Sequence, residues 1–137
     1  MQRNSFGIIQ FPKILDNRGN LSFIQNRDQI PFEIRRAYWI YDVPGGVVRG
    51  GHAYKMLEEV FVALSGSFDV AVDDGMGNTQ EYNLNRSYNG LYVPGMTWRQ
   101  IRNFSTNAIA LILASKPYDE ADYIYDYNDF IQMANDI

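Results

Sequence analysis

No cysteine occurs anywhere in this chain, and there is one histidine, His52. The first absence excludes disulfides, thiolate metal sites and a thiol nucleophile. The second leaves a single side chain whose ordinary pKa lies near neutrality. No apolar run approaches the ~18 residues of a membrane-spanning helix. The opening stretch, MQRNSFGIIQFPKIL, is basic but lacks a continuous apolar core, so no signal peptide is expected. Positive charge is in short supply: 12 Lys and Arg stand against 16 Asp and Glu, for a net charge of −4. The arginines are scattered and form no basic stripe, so a nucleic-acid partner is not expected. Internal repeats, linkers and low-complexity segments are missing as well. A single domain over residues 1–137 and a cytoplasmic location are the resulting expectations.

What is abundant is aromatic. Ten tyrosines and eight phenylalanines sit among hydrophobic residues that make up 46% of the chain. Aromatic and β-branched residues favour strands. Ile34–Val43 is the strongest such run. Phe68, Val70 and Val72 alternate with Asp69, Ala71 and Asp73, and the loop DDGMGN then turns the chain back. Strands are also expected at 59–64, 79–84, 91–93, 97–101 and 108–114, and residues 8–24 read as a hairpin about Asp16-Asn17-Arg18-Gly19-Asn20. Only the tail changes character, where Asp126 or Asn128 can cap a short helix. About ten short strands and a terminal helix predict an all-β fold, a jelly-roll barrel.

Val48–Gly66 holds the chemistry. His52 follows Gly50-Gly51 and precedes Tyr54 by two residues, which puts both side chains on one face of a strand. The spacing resembles the cupin jelly-roll pattern of His-x-His, a glutamate and a later glycine: here His52, Tyr54, Glu59 and Gly66. The second cupin motif, a Pro-Gly turn followed by histidine and asparagine, is matched in spacing by Pro94-Gly95, Arg99 and Asn103. Two of the four metal-ligand positions thus hold Tyr54 and Arg99. A cation in a ligand position repels a metal, so a cupin-type barrel with no metal and no other cofactor is expected. A metal cupin using His52 and Glu59 with ligands from elsewhere is the rival.

Further segments carry a closer resemblance: Asp16–Leu21, Ile30–Tyr38, Arg49–Ala53, Leu64–Ser67, Asp73–Gly75, Gly90–Val93, Ala114-Ser115 and Tyr118–Ile124. Together they resemble the sugar 3,4-ketoisomerases of the WxcM-like/FdtA-type cupin family. The resemblance implies a homodimer acting on dTDP-4-keto-6-deoxyglucose. It implies migration of the keto group from C4 to C3, toward 3-amino-3,6-dideoxy sugars of surface polysaccharide. Such a migration runs through an enediol and needs a base, a proton relay and a positive group for developing charge. His52, Tyr54 and Tyr38 are the candidate catalytic residues. Arg18, Arg49, Arg99, Glu59 and Asn103 are the candidate substrate contacts. Family members usually carry a second histidine where this chain has Tyr54. Three outcomes stay open from the residues: His52 as base with Tyr54 as acid, Tyr54 activated by an arginine, or a barrel that binds a nucleotide sugar without isomerising it.

Overall fold

The computed structural model describes residues 4–136. In chain order the strands are β1 (Gly7–Gln10), β2 (Arg36–Ile40), β3 (Arg49–Tyr54), β4 (Glu59–Ser65), β5 (Phe68–Asp73), β6 (Thr79–Leu84), β7 (Asn89–Val93), β8 (Trp98–Arg102), β9 (Ile109–Ala114) and β10 (Tyr123–Ile124). A 3-10 turn, Glu120–Asp122, precedes β10, and helix α1 (Tyr127–Asn135) follows it. The strands form two five-stranded antiparallel sheets, ordered β1-β7-β4-β9-β2 and β10-β3-β8-β5-β6. From β6 onward successive strands fall in opposite sheets, as do β2 and β3, β3 and β4, and β4 and β5. This is the jelly-roll arrangement the strand count predicted. Among the described residues no helix is long and apolar enough to cross a membrane.

Between the sheets, Phe61, Phe68, Val70, Leu84, Leu91, Ile101 and Ile112 pack into one apolar cluster. Each such side chain stabilises the fold by roughly 1.5–3 kcal/mol on burial. Strand β4 is buried on both faces over Glu59–Ala63. Its outward residues Val60 and Val62 are roofed by Phe11, Ile30 and Phe32 from the long segment between β1 and β2. That segment corrects the expected hairpin over residues 8–24. β1 pairs instead with β7, from Gly7 opposite Tyr92 to Gln10 opposite Asn89. Only the bridge between Ile14 and Leu21 survives of the hairpin. Asp16 and Asn20 use their side chains to bind nearby backbone N–H groups, and this closes the turn locally.

The 65–67 turn is tight, as expected, and it carries the chain from one sheet to the other. Gly66 has φ +66°, and a Cβ there would lie 2.9 Å from Ala108 Cα. The run Ile34–Val43 yields a shorter strand, because Asp42 takes φ +56° and breaks the extension. Asp126 caps α1, its carboxylate accepting from Asp129 N at 2.9 Å. β10 was not foreseen. It pairs Tyr123 with Tyr54 and Ile124 with Ala53, which fixes the tail along β3. The Asp122 carboxylate reinforces this by accepting from Met56 N and Leu57 N, each at 3.0 Å.

Candidate active site

Strand alternation decides which side chains enter the barrel. On β2 these are Arg36, Tyr38 and Ile40; on β4, Glu59, Phe61 and Ala63; on β8, Arg99 and Ile101. β3 contributes His52, which sits opposite Arg99 in the ladder, and Tyr54. The polar members therefore gather at one end of the interior and the apolar ones fill the other. The polar end opens as a cavity of about 380 Å³ lined by Arg36, Tyr38, Arg49, Gly50, His52, Tyr54, Arg99 and Tyr123.

Arg99 is the hub. Its Nε donates to Glu59 Oε1 at 3.0 Å, Nη1 to the Gly50 carbonyl at 2.9 Å, and Nη2 to the Tyr38 hydroxyl at 3.1 Å and the Tyr54 hydroxyl at 3.5 Å. Gly50, at φ +71°, is required here, since a side chain would run into the Arg99 guanidinium. Tyr38 in turn donates a short hydrogen bond to Glu59 Oε2. His52 Nε2 lies 3.0 Å from the Tyr54 hydroxyl. One connected network thus runs from His52 through Tyr54, Arg99 and Tyr38 to Glu59.

Its electrostatics follow from burial and pairing. Burial opposes the charge on Arg99, but the Glu59 carboxylate beside it wins, and the guanidinium pKa is raised. Burial, then the negative charge of Glu59, pushes the Tyr54 phenol well above its ordinary value despite Arg99. The same two causes raise Tyr38. Burial, then the Arg99 charge, lowers His52 to about 3. At neutral pH the site therefore presents a neutral imidazole beside two protonated phenols. Activation of Tyr54 as a phenolate by Arg99, one of the outcomes left open by the residues, is disfavoured, because Glu59 already neutralises that guanidinium.

The structure brings together His52, Tyr54, Tyr38, Arg49 and Arg99, with Glu59 beneath them. It does not bring Arg18 or Asn103 to this cavity, which corrects their expected placement within the chain. The Arg18 side chain is 89% exposed and bonds Asp16 in the β1–β2 segment. Asn103 follows β8 at φ +57° and donates to Asp69 Oδ2 at 2.7 Å on the outer surface. The left-handed residue ends the strand alternation that would have turned it inward.

A metal does not fit the residues at the cupin ligand positions. Arg99 fills one of them and holds Glu59, and no group of three His, Cys, Asp or Glu side chains converges among the described residues. A roomier depression, about 630 Å³, lies on the outer face of the second sheet beside Trp98, Gln100 and Arg102. There Arg102 is paired with Glu81 and Tyr127 with Asp73, so the charged groups answer one another.

Arg36 and Tyr123 were not singled out from sequence, nor were Trp39, Ile40 and Tyr41, which complete the lining. Arg36 was detectable, since it shares strand parity with Tyr38. Tyr123 was not, because the tail shows no strand pattern. Its ring lies 4.6 Å from Tyr54 and 5.2 Å from His52, centroid to centroid, and stacks on Tyr125.

Comparison with known proteins agrees with this geometry. The family model FdtA, described as WxcM-like, C-terminal, matches residues 4–135. A TDP-4-oxo-6-deoxy-alpha-D-glucose-3,4-oxoisomerase from Aneurinibacillus thermoaerophilus is 45% identical over 123 residues, 90% of this chain and 88% of that protein. The crystal structure of a 3,4-ketoisomerase from Helicobacter canadensis is 43% identical with TM-score 0.90, over 95% of this chain and 97% of that one. A 3,4-ketoisomerase variant from Thermoanaerobacterium thermosaccharolyticum, solved with TDP-4-keto-6-deoxyglucose, is 34% identical with TM-score 0.92, over 96% of this chain and 94% of that one.

Proposed function

Because the chain belongs to the FdtA family, WxcM-like, C-terminal, we propose that it is a sugar-nucleotide 3,4-ketoisomerase. Its substrate is a TDP-linked 4-keto-6-deoxyhexose, and its product carries the keto group at C3. The observation that carries the reading is the His52–Tyr54 contact at 3.0 Å, facing a cavity with Arg99 behind it. That contact supplies an acid and a base without a metal.

His52 acts as the base. It is neutral across the ordinary pH range, so its lone pair is available to take the C3 proton, which the neighbouring C4 carbonyl acidifies. Charge develops on O4, and Tyr54 passes its hydroxyl proton there while taking the proton of the O3 hydroxyl, so the proton moves between the two oxygens through the enediol and no free phenolate forms. The protonated His52 places its proton on C4 and is restored. Protons balance over the cycle, and the low basicity that hinders removal of the C3 proton favours its return to C4. Arg99, oriented in advance by Glu59 and the Gly50 carbonyl, positions the Tyr54 hydroxyl through Nη2. Tyr38 holds the far side of Glu59 and steadies Arg99. Since the chain has a single histidine, one imidazole serves both carbons, and the proton leaves and returns on the same face.

The wider reading is a single-domain cytoplasmic enzyme that works as a homodimer in making 3-amino-3,6-dideoxy sugars for surface polysaccharide. Support for self-association comes from apolar residues left in solvent, among them Trp39 at 59% and Leu15 at 73% exposure. Incubation with TDP-4-keto-6-deoxyglucose in deuterated buffer, followed by proton NMR, tests the activity. The 3-keto product with deuterium at the migrated position is expected. Tight TDP binding with neither product nor exchange would replace this reading with that of a non-catalytic binding barrel.

A further inference from the structure

We propose that Tyr123, carried in by the last strand, is a positioning residue: its ring fixes the imidazole of His52 and the phenol of Tyr54 in the orientation that the isomerisation needs. The inference rests on the functional reading above and deepens it. Proton transfer to and from carbon demands an aligned base, and a small misplacement of a reacting group slows it steeply. Hydrogen bonding alone does not align His52. Among the described residues its imidazole makes one hydrogen bond, between Nε2 and the Tyr54 hydroxyl. The torsion that turns an imidazole is broad and roughly two-fold, so one bond leaves a freedom that packing has to remove. Rings supply that packing. Tyr54 meets His52 at right angles with centroids 4.9 Å apart, and Tyr123 lies tilted against His52 at 5.2 Å. Tyr123 also makes a T-shaped contact with Tyr54 at 4.6 Å. The three rings form a closed triangle, and Tyr123 is the corner that moves no proton in the mechanism.

The backbone makes that corner rigid. β10 sets Tyr123 opposite Tyr54 and Ile124 opposite Ala53. Ile124 and Ala53 are buried together with Phe130 of α1. Just before Tyr123, the Asp122 carbonyl accepts from Lys55 N at 2.9 Å, and the buried Asp122 carboxylate holds Met56 N and Leu57 N. Tyr123 is thereby registered to the very strand that bears His52 and Tyr54. Its ring is braced in turn. Tyr125 stacks on it at 5.2 Å with 18° between the planes, and Tyr118 lies 5.7 Å away. The hydroxyls of both bracing tyrosines donate to one carboxylate, that of Glu120. β3 needs such support, because its ladder to β8 shifts register between Arg49 and His52, where Gly50 stands at φ +71°. A strand irregular along one edge is held in line from the other. The tyrosine-rich tail, which the proton transfers do not use, thereby acquires a role.

The single histidine makes the test direct, because every imidazole nitrogen signal belongs to His52. Protein labelled with 15N-histidine should show one sharp tautomer in the wild type and averaged shifts of a turning ring in Tyr123→Leu. With TDP-4-keto-6-deoxyglucose as substrate, Tyr123→Leu should lower kcat by about 10–100-fold, the scale expected for a misplaced reacting group. KM and TDP affinity should stay within about twofold of wild type, since the effect falls on the transition state. Tyr123→Phe keeps the ring and should restore both the single tautomer and most of kcat. Wild-type kcat and imidazole signals in Tyr123→Leu, a loss confined to KM, or a Tyr123→Phe variant as slow as Tyr123→Leu would each overturn the assignment. If Tyr123→Leu does not fold, Tyr125→Leu decides, because that ring is 59% exposed and its loss spares the core. A severalfold fall in kcat with averaged imidazole shifts is expected there, and wild-type values for both would overturn the proposal. An inactive wild-type protein would remove the isomerase reading alone, since the imidazole signals are read without substrate.

Discussion

Arg99 Nη2 and Glu59 Oε1 lie 2.9 Å apart inside the barrel, with side chains only 3% and 1% exposed. The pair neutralises itself, and that shapes everything around it. Tyr54 gains no net positive charge and keeps its proton. His52, buried and facing the same guanidinium, is held neutral. The acid and the base are set apart by an ion pair that need not touch the migrating proton.

Removing one partner exposes the scale of this arrangement. Glu59→Gln should destabilise the protein by about 3–5 kcal/mol, because it leaves a buried guanidinium uncompensated. Urea unfolding measures it. The double change Glu59→Leu with Arg99→Met should recover most of that stability while abolishing activity. A double variant as unstable as the single one would mean that shape, not charge, dominates.

His52→Asn should lower kcat by about 10²–10⁴-fold, the usual worth of a positioned base. TDP affinity and the circular dichroism spectrum should stay as in the wild type. Steady-state kinetics with a discontinuous product assay decides it, and turnover within a few-fold of wild type would take His52 out of the mechanism.

Tyr54→Phe removes the proton donor and the partner of His52 Nε2 but keeps the ring packed on Tyr123. A fall in kcat of about 10²-fold with little change in KM is expected for loss of a general acid. A KM effect alone would make Tyr54 a binding residue.

Stability should depend on pH through His52. Its folded pKa of about 3 lies below its ordinary 6.5, so between those values the unfolded chain holds more protons. Stability is therefore complete above pH 6.5 and lost as pH falls toward 3. Melting temperatures from pH 7 to pH 4 should drop more steeply in the wild type than in His52→Gln. For the same reason kcat/KM should show no limb near 6.5.

One imidazole serving both carbons predicts partial internal return. Substrate deuterated at C3, converted in ordinary water in a single turnover, should give product with some deuterium at C4. Complete loss of the label would argue for a second proton donor.

Spacing made much of this legible beforehand. Strand parity placed Tyr38 on an inner face, the cupin spacing picked out Glu59 and Arg99, and the two-residue step joined His52 to Tyr54. Parity gives no warning of a left-handed residue, which is why Asn103 leaves the site at the end of β8. Nor does it reveal a turn that satisfies itself through side chains, which is why Arg18 stands apart with Asp16. Local sequence thus determined most of the strands after residue 34, the turns at 65–67 and in DDGMGN, a helix cap at Asp126 or Asn128, and the type of chemistry, since these depend on near neighbours and on residue identity. Tertiary structure alone decided that β1 pairs with β7, that Tyr123 lies beside Tyr54, and that His52 stays neutral. Those outcomes arise from burial and from charges far apart in the chain, and Val48–Gly66 acquires its acid–base character only when the fold buries it against Arg99.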